Sequence, residues 1–196
     1  LRFLRERYAG FNPGRVLDMA CAAGASSTPY AEAFPQAAIH AIDVAPALLR
    51  YAHARAEALG VAVHFHQRDA SATGFDDESF DLVVSHNAMH EMSQETSRAM
   101  FRESFRVLKP GGICVHQDVP LRYDELDAYE RFDRSWDRYY NGELFWIDYG
   151  TLDLRQALVD AGFPGSECFL GFINQSDASM RWYAACARKP VAAGAA

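Results

Sequence analysis

Residues 15–24 read Arg-Val-Leu-Asp-Met-Ala-Cys-Ala-Ala-Gly, and this stretch limits the fold more than any other. Val16 and Leu17 are apolar and predict the end of a buried strand. Asp18 places a carboxylate where that strand stops. Small residues follow at Ala20, Ala22, Ala23 and Gly24, and the next bulky side chain is Tyr30. Ser26, Ser27 and Thr28 are candidate helix N-caps, and Pro29 suits a first helical turn. Strand, tight small-residue turn and helix, in that order, let a doubly wound α/β fold bring its backbone close to a nucleotide-like ligand.

A second carboxylate strengthens the reading. Ile39–Ile42 predicts the next strand, and Asp43 ends it. Asp43 follows Gly24 by 19 positions, close to the ~20 expected for an acid that accepts hydrogen bonds from both hydroxyls of a ribose.

The remaining pattern alternates helix and strand. Residues 1–11 read as helical turns closed by Gly10, and Asn12-Pro13-Gly14 as a turn. Pro46–Leu59 predicts a helix ended by Gly60, and Val61–His66 alternates as a third strand. Asp81–Ser85 is a short fourth strand. Gln94–Leu108 has helical spacing and is stopped by Pro110-Gly111-Gly112, and Ile113–Val119 is a fifth strand. Leu152–Ala161 is a further helix. Glu167–Ile173 and Met180–Arg188 predict a final antiparallel pair joined by residues 174–177, followed by a frayed tail over 191–196. The fold class is α/β, a Rossmann-like doubly wound sheet, mostly parallel with a terminal antiparallel strand pair, plus a helical aromatic insertion. Residues 13–196 form one domain. Residues 1–12 are read as an N-terminal helix remnant or the end of a missing N-terminal region. The chain starts without Met, which fits a processed chain or a piece of a longer one.

Charge and composition exclude some partners. A net charge of −7 argues against a nucleic-acid backbone, which needs a basic surface. No apolar run reaches the ~18 residues of a membrane span, and the charged start does not read as a signal peptide. The cysteines Cys21, Cys114, Cys168 and Cys186 include no Cys-x-x-Cys pair. Buried free thiols and a cytoplasmic location are the expectation.

The blocks Val16-Leu-Asp-x-x-Cys-x-x-Gly24 with Asp43, Asp69-Ala70, Phe75–Val84 and Phe105-Arg-Val-Leu-Lys-Pro-Gly-Gly112 resemble, in order, the class I S-adenosylmethionine-dependent methyltransferases. The resemblance covers roughly residues 13–118 and departs where Ala20 and Ala22 stand at positions the family usually fills with glycine. It implies S-adenosylmethionine as cofactor, held by Asp18, the loop Ala20, Ala22 and Gly24, Asp43 on the ribose, Val44 on the adenine face, and Asp69 with Ala70 at the adenine amino group. His86 is expected to line this pocket through its backbone. Independently of the resemblance, ligands of open α/β sheets sit at the carboxyl ends of the strands, which also selects Asp18, Asp43, Asp69, the Ser85-His86-Asn87 step, and His116 with Asp118. An exposed loop acid or a helix cap is the plainer reading for Asp18 and Asp69.

His90 and His116 are the candidate general bases. His86 and His90 are four apart with Glu91 adjacent, but the order is not the His-Glu-x-x-His of zinc proteases, and no metal is expected. His64 and His66 share one face of a strand and read as structural; His40 and His53 carry no signal.

Residues 120–149 break the alternation with nine aromatic residues. Tyr129, Phe132, Trp136, Tyr139 and Tyr140 keep a helical stripe, so a helix packed on the domain is the simplest expectation. A lid-like insertion is the alternative, with Trp136, Tyr140 and Trp146 covering an acceptor pocket, Tyr123 beside them and Met89 with His90 as the opposite wall. The function expected is methyl transfer from S-adenosylmethionine to a small-molecule acceptor. The alternatives are a non-catalytic binding module, motivated by Ala20 and Ala22, and a nicotinamide-dependent oxidoreductase, weakened by the missing Gly-x-Gly-x-x-Gly.

Overall fold

The computed structural model describes residues 1–174 and 181–191, so the connection before the last strand and the tail predicted to fray lie outside the described residues, apart from Val191. The strands are β1 (Arg15–Met19), β2 (Ala38–Asp43), β3 (His64–Gln67), β4 (Phe80–His86), β5 (Leu108–Asp118), β6 (Phe169–Asn174) and β7 (Arg181–Arg188). The helices are α1 (Arg2–Arg7), α2 (Ser27–Ala33), α3 (Pro46–Leu59), α4 (Gln94–Val107), α5 (Ala128–Tyr140), α6 (Trp146–Thr151) and α7 (Leu154–Asp160). One sheet runs β3-β2-β1-β4-β5-β7-β6. Its first five strands are parallel, and β7 is antiparallel to both β5 and β6. The strand order reverses between β1 and β4, which puts the ligand-binding crevice at the carboxyl ends of those two strands.

Alternation along each strand feeds two cores. Val16, Ile39, Leu82, Val84 and Ile113 pack on one face with Leu4 of α1 and Ala31 of α2. Leu17, Met19, Val83 and Cys114 pack on the other with Met100 and Phe101 of α4 and Leu158 of α7. Successive strand residues point to opposite faces, so the near-continuous apolar run in β1 requires helices on both sides. Among the described residues no helix is long and apolar enough to cross a membrane.

The third and fifth strands start at other residues than the sequence reading gives them. The third strand begins at His64 because His40↔His64 is the first pair it makes with β2. The fifth strand begins at Leu108 and takes in Pro110-Gly111-Gly112, with an irregularity in its pairing between Phe80 and Leu82 that accommodates those residues. His40 also has a role the sequence did not signal: its ring stacks on His66, with Nδ1 3.1 Å from His66 Nε2.

The aromatic segment divides. Tyr123, Tyr149 and part of Trp146 join the core, whereas the five rings of the α5 stripe are exposed. The expectation that this helix packs its aromatic face on the domain is therefore corrected. Its half-buried positions are the polar Ser135, Asp137 and Arg138.

Gly150 is where the segment seats on the body. A Cβ there would lie 2.3 Å from Tyr123 Cδ2 and 3.2 Å from Leu121 Cγ. Gly150→Ala should cost about 1–3 kcal/mol through overpacking, read as a lower urea midpoint with an unchanged slope.

Candidate active site

The loop after β1 is held in a glycine-like conformation without glycines. Ala20 has φ 56°, Ala22 φ 46° and Gly24 φ 71°. The doubt raised by alanine at these positions is answered by geometry: both alanines adopt the left-handed region, at about 1–2 kcal/mol each. Fixed hydrogen bonds hold them there. Asp43 Oδ2 accepts from the Ala22 N–H at 2.8 Å, and Cys21 N–H donates to Ile42 O at 2.9 Å. Gly24 is required for a second reason. A Cβ there would lie 3.1 Å from Ala52 Cβ and 3.3 Å from Phe65 Cζ, so the loop sits directly on α3 and β3.

Asp43 also accepts from Ala45 N–H through Oδ1 at 2.8 Å. Each of its oxygens keeps a second lone pair for a ligand. Val44, beside it, is exposed. Asp69 is exposed and Ala70 buried; Asp69 Oδ1 accepts from both the N–H and the hydroxyl of Ser71, which orients the carboxylate.

Asp18 is fully buried. Its Oδ2 accepts from Ser26 Oγ at 2.7 Å and Ser27 Oγ at 2.6 Å, while Oδ1 has no partner among the described residues. Ser26 and Ser27 therefore serve Asp18, and neither caps α2 with its side chain. Burial raises the Asp18 pKa to about 6, against the lowering effect of the two serine hydroxyls. A buried, unpartnered carboxylate oxygen beside the loop fits a cationic group on a ligand.

At the crevice, Ser26, Pro29 and Tyr30 of the β1–α2 unit face Ser85, His86 and Gln117 across a cleft of about 280 Å³. His86 lies in this cleft with its ring 4.8 Å from that of Trp182, and burial lowers its pKa.

The two candidate bases separate sharply. His116 is fully buried, with Nδ1 2.9 Å from Ser85 Oγ and Nε2 3.1 Å from Ser104 Oγ. Burial lowers its pKa to about 3. Both nitrogens are occupied inside the core, so the expectation that His116 acts as a base is corrected. His90 keeps an exposed edge at 8%. Its Nδ1 lies 2.6 Å from Asp118 Oδ1, and Asp118 also accepts from the N–H groups of Ala88, Met89 and Val119. With Nδ1–H donated to that carboxylate, neutral His90 carries its lone pair on Nε2. Glu91 and Glu143 each bring a carboxylate oxygen within 4.8 Å of a His90 ring nitrogen. Burial lowers the His90 pKa, but the Asp118 hydrogen bond and the charges of Asp118, Glu91 and Glu143 outweigh it and hold the pKa above 6.5. The Trp146 ring stands edge-on to His90 at 5.7 Å.

The other acceptor-side expectations are revised. Met89 is fully buried and belongs to the core, so its side chain forms no open wall. Tyr123 is also buried, with a hydroxyl lacking a partner among the described residues. Trp136 and Tyr140 are not brought to His90. They stack on each other at 4.2 Å over a hollow lined by residues of α5 itself. Glu143 and Trp182 went unread because their partners, His90 and His86, are remote in sequence; only tertiary contact joins them.

Comparison with known proteins matches this geometry. Residues 16–112 match a methyltransferase domain family. The chain is 35% identical over 108 residues to a demethylmenaquinone methyltransferase of Thermus thermophilus, covering 55% of this chain and 48% of that protein. A Methanosarcina mazei structure described as a SAM-dependent methyltransferase superposes with TM-score 0.71 at 18% identity, covering 96% of this chain and 97% of that one. A Haemonchus contortus phosphoethanolamine N-methyltransferase 2 in complex with S-adenosyl-L-methionine gives TM-score 0.74 at 17% identity, covering 96% of this chain and 52% of that one. The chain spans less than half the length of the Haemophilus influenzae, Mycobacterium bovis and Thermus thermophilus relatives that it matches. The fold and loop define a Rossmann-like methyltransferase domain. Residues 16–112 belong to the methyltransferase domain family, and the whole chain has the fold of S-adenosylmethionine-dependent methyltransferases.

Asp18 makes stability pH-dependent. Its folded pKa, about 6, exceeds the ordinary aspartate value of 3.8, so the folded state binds more protons between those values and loses stability as pH rises through them. Asp18→Asn should remove a decline on the order of 2–3 kcal/mol between pH 4 and 6, measured by urea denaturation across that range.

Proposed function

We propose that the chain binds S-adenosylmethionine at the carboxyl ends of β1 and β2 and transfers its methyl group to a small-molecule acceptor beside β4. The observation that carries this is the loop. Two alanines are held at positive φ, a conformation that costs energy, and one of them, Ala22, donates its N–H to Asp43, the acid placed to hold the ribose. The same observation favours a cofactor-binding loop over the degenerate one that a non-catalytic module would carry.

The residues divide the work. Asp43 accepts hydrogen bonds from the ribose with the lone pairs that Ala22 and Ala45 leave free. Val44 covers one adenine face, and Asp69 accepts from the adenine amino group. Asp18 Oδ1, buried without a partner, receives the charged amino group of the methionine part. When bound, S-adenosylmethionine supplies a methyl group made electrophilic by its sulfonium. The chain contributes alignment, which lowers a barrier by fixing the acceptor in line with that methyl. His90 takes the acceptor's proton at Nε2, and Asp118, Glu91 and Glu143 stabilise the imidazolium that results. Trp146 forms the apolar side of this acceptor site. The acidic surface charge of −7 and the small cleft support a small molecule over a nucleic acid.

Calorimetric titration tests the cofactor. S-Adenosylmethionine should bind the wild-type chain, and Asp43→Ala should weaken it at least about tenfold through lost charge-assisted hydrogen bonds. Absence of binding, or undiminished affinity in the variant, would sink the reading. Transfer of labelled methyl to a panel of phenols and amines tests His90. His90→Gln should lower turnover by about 10²–10⁴-fold with cofactor affinity intact. In the wild-type chain kcat/KM should rise with pH through a pKa above 6.5, since the base acts only when neutral.

A further inference from the structure

The turn that carries Asp69 has a slender support. It follows β3, a four-residue strand at the edge of the sheet whose one neighbour is β2. Asp69, Ala72 and Gly74 are exposed, so burial does little to fix the turn. Its entry is set where the Arg68 N–H donates to Asp43 O at 3.1 Å. The turn then closes on itself. The Ala72 N–H donates to Asp69 O at 3.2 Å, and the two residues form an isolated antiparallel bridge. Both donors of Ser71 fall on Asp69 Oδ1, which leaves Oδ2 to a ligand.

The exit of the turn is held from outside, by a carboxylate on α4. Glu103 is buried, and its Oε1 accepts from the N–H of buried Thr73 at 2.7 Å and from the Thr73 hydroxyl at 2.6 Å. Arg106 compensates the charge, with Nη2 donating to Oε1 at 2.6 Å and Nε to Oε2 at 2.8 Å, and it pairs with Asp77 as well. A carboxylate is costly to bury unless it is paired and hydrogen-bonded, and this one is both. Arg68 Nη1 donates to Thr73 O at 2.6 Å, so every polar group of Thr73 is engaged. The helix that carries Glu103 is itself seated in the core by Met100, Phe101 and Val107. Its position therefore passes through Glu103 to Thr73. Thr73 in turn is bonded along the chain to Ala72, the residue that closes the turn on Asp69. The two ends of the turn are tied to different bodies, the entry to the ribose strand and the exit to α4.

We infer that Glu103 is a positioning residue for the cofactor's base: it anchors Thr73, which holds the 69–72 turn so that Asp69 Oδ2 meets the adenine amino group. The inference rests on the cofactor site proposed above. Calorimetric titration of the whole chain tests it, with S-adenosylmethionine and with its analogue carrying hydrogen in place of the amino group on the base. The wild-type chain should prefer the amino form by about 10–100-fold, as for a hydrogen bond to a charged group. Glu103→Ala should cut that preference below about threefold and change affinity for the analogue by less than about threefold. In the Asp69→Ala chain the contact is already lost. Adding Glu103→Ala there should lower S-adenosylmethionine affinity by less than about threefold, because both changes act on one interaction. Thr73→Val is the second variant, should Glu103→Ala not fold. It leaves Arg106 and the Thr73 backbone bonds in place and removes only the hydroxyl, with its bonds to Glu103 and Phe75. It should lower the preference at least about threefold. Equal weakening of both cofactor forms in Glu103→Ala shows a merely structural role and overturns the inference, as does a preference that survives in the variants. A wild-type chain that binds S-adenosylmethionine without preferring the amino form overturns the assignment of Asp69 and the inference with it, a failure distinct from that of Glu103 alone.

Discussion

The hydrogen bond from the Ala22 N–H to Asp43 Oδ2 is the contact on which the cofactor end depends. Left-handed backbone at alanine is unfavourable on its own, so the loop keeps its shape only where surrounding contacts over-determine it. Asp43 supplies one, the Cys21–Ile42 backbone bond another, and the close seat of Gly24 on Ala52 and Phe65 a third. All three tie the loop to β2 and its neighbours. The end of β1 is therefore positioned from the side, by the strand that carries the ribose acid, and the residue that would hold the ligand also shapes the loop that admits it.

The turn after β4 repeats the device with a different donor set. Asp118, at the end of β5, collects the N–H groups of Ala88, Met89 and Val119, which fixes the turn after β4, and then uses Oδ1 to orient His90. Asp18 is the contrast. It receives two serine hydroxyls on one oxygen and, among the described residues, nothing on the other, and burial raises its pKa. A carboxylate given several backbone donors organises structure; one left half-satisfied at a crevice is suited to a cationic ligand group.

The aromatic segment separates two kinds of ring. Tyr123 packs against Gly150 of α6, while Tyr149 and Trp146, on α6 itself, pack into the core and Trp146 also meets His90 in the turn after β4. The rings of α5 face away from the body and do not take part in it. Periodicity places all of the α5 rings on one face with no reference to what that face meets. The half-buried polar side, set by Ser135, Asp137 and Arg138, decides the direction.

What the sequence by itself determined is local or periodic. The strand–turn–helix around Asp18, the 19-residue step from Gly24 to Asp43, the alternation of strand and helix, and the antiparallel final pair all follow from short-range steric and hydrophobic patterning. Tertiary structure alone decided the rest. His90 and His116 look equivalent in the chain, and burial between Ser85 and Ser104 removes one while Asp118 orients the other. Glu143 reaches His90, and Trp182 reaches His86, across stretches of chain with no shared local pattern. Ala20 and Ala22 read as a departure from glycine, yet take glycine's conformation, because backbone torsion is set by the sum of contacts on a segment as well as by the residue's own preference. Sequence spacing selects which groups arrive at the strand ends; burial and hydrogen-bond supply then select which of them remain available for chemistry.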